Sequence, residues 1–104
     1  MIRHISVFSL VACPEKEENL QILRTCLERI SKEYPAIQRQ QLGTSLLPVP
    51  PESEGSVLCG DFVQICDFAD PEAARAYPAS EAHARLMADT GFMIRTVTVI
   101  DFEL

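Results

Sequence analysis

The chain has 104 residues, 47% apolar and 23% charged, with a net charge of −6. That length makes one domain, able to bury roughly 60–70% of its unfolded surface in a core of its own. The acidic balance argues against nucleic acid or an anionic membrane as partner, since both need a cationic face. No apolar run approaches the roughly 18 residues of a membrane span.

Residues 1–11 read as a strand. Ile2, Ile5, Val7, Phe8, Leu10 and Val11 put apolar groups on both faces, as in a strand covered on both sides. Arg3 and His4 interrupt this segment and acids follow from Glu15 to Glu18. That is not the form of a signal peptide, so the expected location is the cytoplasm. Pro14-Glu15-Lys16-Glu17-Glu18 opens a helix, with proline early and acids in the first turn. Leu20, Leu23, Leu27, Ile30 and Tyr34 recur at spacings of three and four, which predicts one amphipathic helix over 15–33, ended by Pro35.

Ile37 to Leu47 is a weaker, more polar strand, and Gly43 within it is a candidate bulge. Pro48 to Ser56 is a loop by composition. Val57 to Phe68 is a third strand. Asp70 and Pro71 then form a helix start, cap followed by first-turn proline. Pro78 should break that helix. Ser80 can cap a further turn and a half carrying His83, Leu86 and Met87, and Gly91 ends it. Met93 to Phe102 is a closing strand rich in Val, Ile and Thr. Cys13, Cys26, Cys59 and Cys66 form no C-x-x-C, and the two histidines lie outside metal spacing. The cysteines therefore read as reduced and structural, with no metal or other cofactor expected.

The order strand, helix, strand, strand, helix, strand predicts an α+β fold. Specifically, it is a ferredoxin-like βαββαβ sandwich, a four-stranded antiparallel sheet with its helices on one face. The other sheet face is left open, yet the strands are apolar on both parities. A homodimer packed sheet against sheet covers it, giving a dimeric α+β barrel.

The opening Met1-Ile2-Arg3-His4-Ile5-Ser6-Val7-Phe8, the passage Phe68 to Tyr77, His83 six residues later and the ending Val99 to Leu104 occur in that order. In these segments the chain resembles the stress-responsive A/B barrel (Dabb) family over its whole length. The resemblance implies the dimeric barrel. For one branch, related to polyketide cyclases, it implies proton transfer by a tyrosine and a histidine without a cofactor. The matching positions are Tyr77 and His83, with His4 as a pocket neighbour. The chain departs from the family pattern at Ser80-Glu81, where histidine and proline are common. It also has Phe62 where the cyclase-like branch carries a third-strand histidine.

Histidine is the natural general base near neutral pH, and a tyrosine hydroxyl can donate to a developing enolate oxygen. His83 and Tyr77 are therefore the candidate catalytic pair, and His4, Phe62, Tyr77 and His83 the candidate ligand-binding set. Arg3, Arg95 and Asp101 are candidates for cross-strand surface pairs. The expected function is binding of a small apolar or aromatic molecule between sheet and helices. The alternatives are a cofactor-independent cyclase, isomerase or lyase, and a stress-related structural or interaction dimer.

Overall fold

A computed structural model describes residues 1–46 and 60–104. The expected loop over 48–56, the first residues of the expected third strand and Cys59 lie outside the described residues. The elements are β1 (Ile2–Leu10), α1 (Lys16–Glu33), β2 (Ile37–Thr44), β3 (Phe62–Phe68), α2 (Pro71–Ala76), α3 (Glu81–Thr90) and β4 (Ile94–Glu103). A short 3-10 turn, Tyr77–Ala79, joins α2 to α3. The strands form one antiparallel sheet in the order β2-β3-β1-β4. This is the expected ferredoxin-like α+β fold, with its second helix split in two.

The split follows from local chemistry. The Asp70 carboxylate accepts the Ala73 N–H at 2.9 Å and starts α2. Pro78 lacks the N–H that a continuous helix needs, so the chain tightens into the 3-10 turn. The Ser80 hydroxyl donates to the Tyr77 carbonyl at 2.7 Å and accepts the His83 N–H at 3.1 Å. It thus closes one element and opens the next. The helix it opens runs ten residues, Glu81–Thr90, well beyond the expected turn and a half.

The core lies between the sheet and the helices. From α1 come Leu23, Cys26, Leu27 and Ile30, and from the sheet Ile2, Phe8, Leu10, Ile37, Phe62, Cys66 and Phe68. Even-numbered residues of β1 and β3 face the helices and are buried. Gly43 is not a bulge, since it pairs in register with Val63. The register shifts instead between Ile37 and Arg39, where exposed Gln38 takes up the extra residue as the chain enters the sheet. A second shift lies between Ser9 and Leu10 on β1.

On the opposite face the register brings Val63, Val7 and Thr98 into one row and Ile65, Ile5 and Ile100 into the next. Arg3, Asp67 and Phe102 form a third row. Arg3 donates twice to the Asp67 carboxylate, at 2.9 and 3.0 Å, and holds that carboxyl below its ordinary value. Arg3 therefore pairs with β3, not with Asp101. No element covers this face among the described residues, and Ile100 remains 57% exposed.

Asp61 fixes the start of β3. Its fully buried carboxylate accepts the Leu10 N–H at 2.7 Å and meets the Lys16 ammonium at 3.0 Å. Removing one member of a buried pair strands the other. Asp61→Ala is expected to cost about 3–5 kcal/mol, read from urea denaturation. A loss below 1 kcal/mol would assign that anchoring to other groups.

Candidate functional site

Three rungs of the β1–β4 ladder build the floor of a cavity. His4 stands opposite Asp101, Ser6 opposite Val99, and Phe8 opposite Val97. The even side chains of β1 share the helix-facing side because side chains alternate along a strand. Across β1 on the other flank, Gln64 pairs with Ser6 and Cys66 with His4. The 3-10 turn and α3 form the roof with Tyr77, Pro78, His83, Leu86 and Met87, and Ile94 lies at the far end. The cavity holds about 260 Å³. Its walls are mainly apolar, and the polar groups collect at the rung of His4 and Asp101.

Tyr77 is the centre of this arrangement and is only 1% exposed. Its ring meets His4 at 5.4 Å and His83 at 5.1 Å, both edge to face, and also packs on Phe68 and Tyr34. Its hydroxyl accepts from Gln64 Nε2 at 3.3 Å. Gln64 also donates to Gln40 Oε1 at 2.9 Å, and Gln40 Nε2 donates to the Leu27 carbonyl at 2.8 Å. This chain of amides ties the phenol to the backbone of α1. Burial pushes the Tyr77 hydroxyl up to about 12, so it stays protonated at neutral pH and keeps a proton to donate.

The two histidines are held differently. His4 Nδ1 lies 2.6 Å from Asp101 Oδ1, and His4 Nε2 lies 2.8 Å from Ser6 Oγ. Among the described residues no side-chain hydrogen bond reaches the His83 ring. Burial, and then the neighbouring His4, push the His83 imidazole below its ordinary 6.5. It is therefore neutral at pH 7, with a lone pair free to take a proton.

His4, Tyr77 and His83, expected from the sequence as pocket residues, line this one cavity. Phe62, expected with them, does not. Its ring is buried beside Phe8 on the far side from β4, under α1, with the Arg24 guanidinium 5.0 Å above it. Sequence reasoning missed Asp101 as a partner of His4 and passed over Ser6 and Gln64. The alternation His4-Ser6-Phe8 was the available signal for Ser6, but Asp101 needed the register of β4. Among the described residues no three of His, Cys, Asp and Glu converge as metal ligands.

No protein-family model and no curated protein matches the sequence. Solved structures do match. A dimeric protein of unknown function from Bacteroides fragilis aligns with a TM-score of 0.79 at 15% identity, covering 99% of this chain and 95% of the other. A Dabb family protein from Mesorhizobium loti aligns with a TM-score of 0.75 at 17% identity, over 99% and 95% of the two chains. This chain has the ferredoxin-like fold of the Dabb proteins. A hydroxynitrile lyase from Passiflora edulis shares it, with a TM-score of 0.77 at 12% identity over 99% and 92%. At these identities the likeness concerns the fold alone. Among the described residues no helix is long and apolar enough to cross a membrane.

The depressed His83 value carries a stability consequence. The unfolded chain takes up this proton near pH 6.5, and the folded chain only at lower pH. The contribution is complete above 6.5 and is lost as pH falls through the folded value. The NMR titration midpoint of His83 is expected below 6.5, and His4→Gln should raise it only partway, because burial is the larger cause. A midpoint at or above 6.5 would contradict this reading of the ring's environment.

Proposed function

We propose that the protein is a homodimer that binds a small apolar or aromatic molecule in the cavity between β1, β4 and α3. The observation that carries this reading is the cavity's division of character. Phe8, Leu86, Met87, Ile94, Val97 and Val99 supply apolar wall, while His4, Tyr77, His83 and Asp101 supply polar groups at one end. Such walls hold an apolar body, and a few placed polar groups orient it.

The homodimer rests on the open sheet face. Six apolar side chains, Ile5, Val7, Val63, Ile65, Ile100 and Phe102, share it. A twofold pairing of sheets buries this face against its own copy. The fold neighbour from Bacteroides fragilis is itself described as dimeric.

A second reading makes the site a cofactor-independent cyclase, isomerase or lyase acting on an enolisable substrate. The free, neutral His83 ring beside a protonated Tyr77 hydroxyl favours it. The imidazole would take the proton next to a carbonyl, and the phenol would donate to the enolate oxygen. The hydroxynitrile lyase among the fold neighbours belongs to the lyase class this reading names.

Thermal unfolding against aromatic and 1,3-dicarbonyl compounds tests occupancy. A ligand at 100 times its dissociation constant adds about 2.7 kcal/mol. That corresponds to a midpoint shift of roughly 10 °C or more in a domain of this size. His83→Ala should shrink the shift, and on the second reading it should abolish turnover without disturbing the dimer. No shift with any compound would remove the binding function.

Ile5→Glu places a charge in the centre of the open face. Sedimentation is expected to show a dimer for the natural chain and a monomer for this variant. A dimer that persists in the variant would place the interface elsewhere.

A further inference from the structure

We propose that Ser6 is an activated nucleophile that accepts acyl groups from small uncharged esters bound in this cavity. The inference rests on the cavity being a ligand site, and goes beyond the His83–Tyr77 pair. Ser6 and His4 are two residues apart on β1 and so project from the same face. Asp101 sits directly across from His4 on β4. The three side chains form one hydrogen-bonded line, Ser6 Oγ to His4 Nε2 at 2.8 Å and His4 Nδ1 to Asp101 Oδ1 at 2.6 Å. An ionised carboxylate can only accept, so the proton between them sits on His4 Nδ1. Nε2 is then left with its lone pair toward Ser6, whose O–H donates to it. This is the nucleophile, base and orienting acid relation of acyl-transfer sites, recognised by geometry and not by chain order.

Two further observations support the assignment. All three groups sit on adjacent strands of one sheet, which fixes their relative positions better than loops would. The competing nucleophile nearby, the Cys66 thiol, donates to Gln40 and is pushed up to about 12 by burial, so it is inert at neutral pH.

The cavity also states what kind of ester fits. Among the described residues no lysine or arginine lines it, and Asp101 does. Anionic acyl donors and phosphate-bearing thioesters are therefore disfavoured. A volume of about 260 Å³ suits a short or single-ring acyl group.

The step balances without a cofactor. Ser6 Oγ bonds to the carbonyl carbon while its proton passes to His4 Nε2, and Asp101 steadies the imidazolium through Nδ1–H. The Tyr77 hydroxyl, hydrogen-bonded to Gln64 across the ladder from Ser6, is the donor the site supplies to the oxyanion. The carbon–oxygen bond to the alcohol then breaks, and the leaving oxygen takes the proton from Nε2. Water repeats the sequence on the acyl-serine and releases the acid.

The test uses the full chain with p-nitrophenyl acetate and, separately, a small uncharged fluorophosphonate. Release of nitrophenolate, intact mass and peptide mapping are the readouts. The expected result is one adduct per chain on Ser6, absent in Ser6→Ala. Asp101→Asn should slow labelling on the order of 10³-fold or more, as loss of the orienting acid does in such sites. Asp101 is half exposed, so this variant keeps the test valid if buried Ser6 does not tolerate replacement. An unlabelled natural chain, an adduct mapped to another residue, or labelling of Asp101→Asn at the natural rate would each overturn the proposal. The thermal shift with unreactive aromatic compounds separates the two claims. A shift without labelling refutes the nucleophile and leaves the binding site standing, whereas neither signal refutes both.

Discussion

The aromatic contact of Tyr77 with both histidines is the interaction on which the site depends. Its ring is core and cavity wall at once. On one side it packs on Phe68 and Tyr34, which belong to the interior. On the other it meets His4 and His83, which come from opposite parts of the chain. A tyrosine placed by a helix terminus alone would be free to swing its hydroxyl into solvent. Here the amide chain from Leu27 through Gln40 and Gln64 holds the hydroxyl, and the 3-10 turn at Pro78 holds the backbone. Ser80 completes the constraint, because the same hydroxyl that closes that turn starts the helix carrying His83. The separation of Tyr77 and His83 is thus set by one proline and one serine.

The cavity exists because the helices leave the edge of the sheet incompletely covered. The helix-facing side chains of β1 and β3 are buried, whereas Val97 and Val99 on edge strand β4 remain exposed. Their side of the sheet looks toward α3 across the cavity. The opposite side of the same strand carries Ile100 and Phe102 on the open face. Strand β4 therefore contributes to two different surfaces through alternate residues. A strand with one solvated face would show polar residues at every second position, and this one does not.

Much of the fold was legible because it rests on local rules. The spacing of Leu20, Leu23, Leu27 and Ile30, the cap-and-proline pair Asp70-Pro71 and the break at Pro78 each act within a few residues. The two-faced apolar pattern also carried the open sheet face. Gly43 misled because glycine in a strand permits a bulge without requiring one. At this position a Cβ would meet Val63 at an ordinary 3.4 Å. The site was legible only in part. Tyr77 and His83 lie close in sequence, so their proximity was foreseeable. The partner of His4 lies 97 residues away and is fixed by strand register, which a one-residue slip would reverse. Phe62 lies on the expected face of β3 and level with Phe8, but one strand further from β4, so Phe8 stands between it and the cavity.

The unequal treatment of the two histidines divides the polar end of the cavity into two chemistries. His4 spends both ring nitrogens on side chains of the sheet, Nδ1 toward Asp101 and Nε2 toward Ser6. His83 has its backbone fixed by Ser80 but, among the described residues, no side-chain hydrogen bond to its ring, and burial keeps that ring neutral. Its basicity is available to whatever occupies the cavity. Tyr77 stands between them as a donor that does not ionise at neutral pH. On the two proposals, a ligand polarised by that hydroxyl would meet a free base on one side and a serine-bound base on the other. The proposals differ in whether the ligand offers an acidic C–H to His83 or an electrophilic carbon to Ser6.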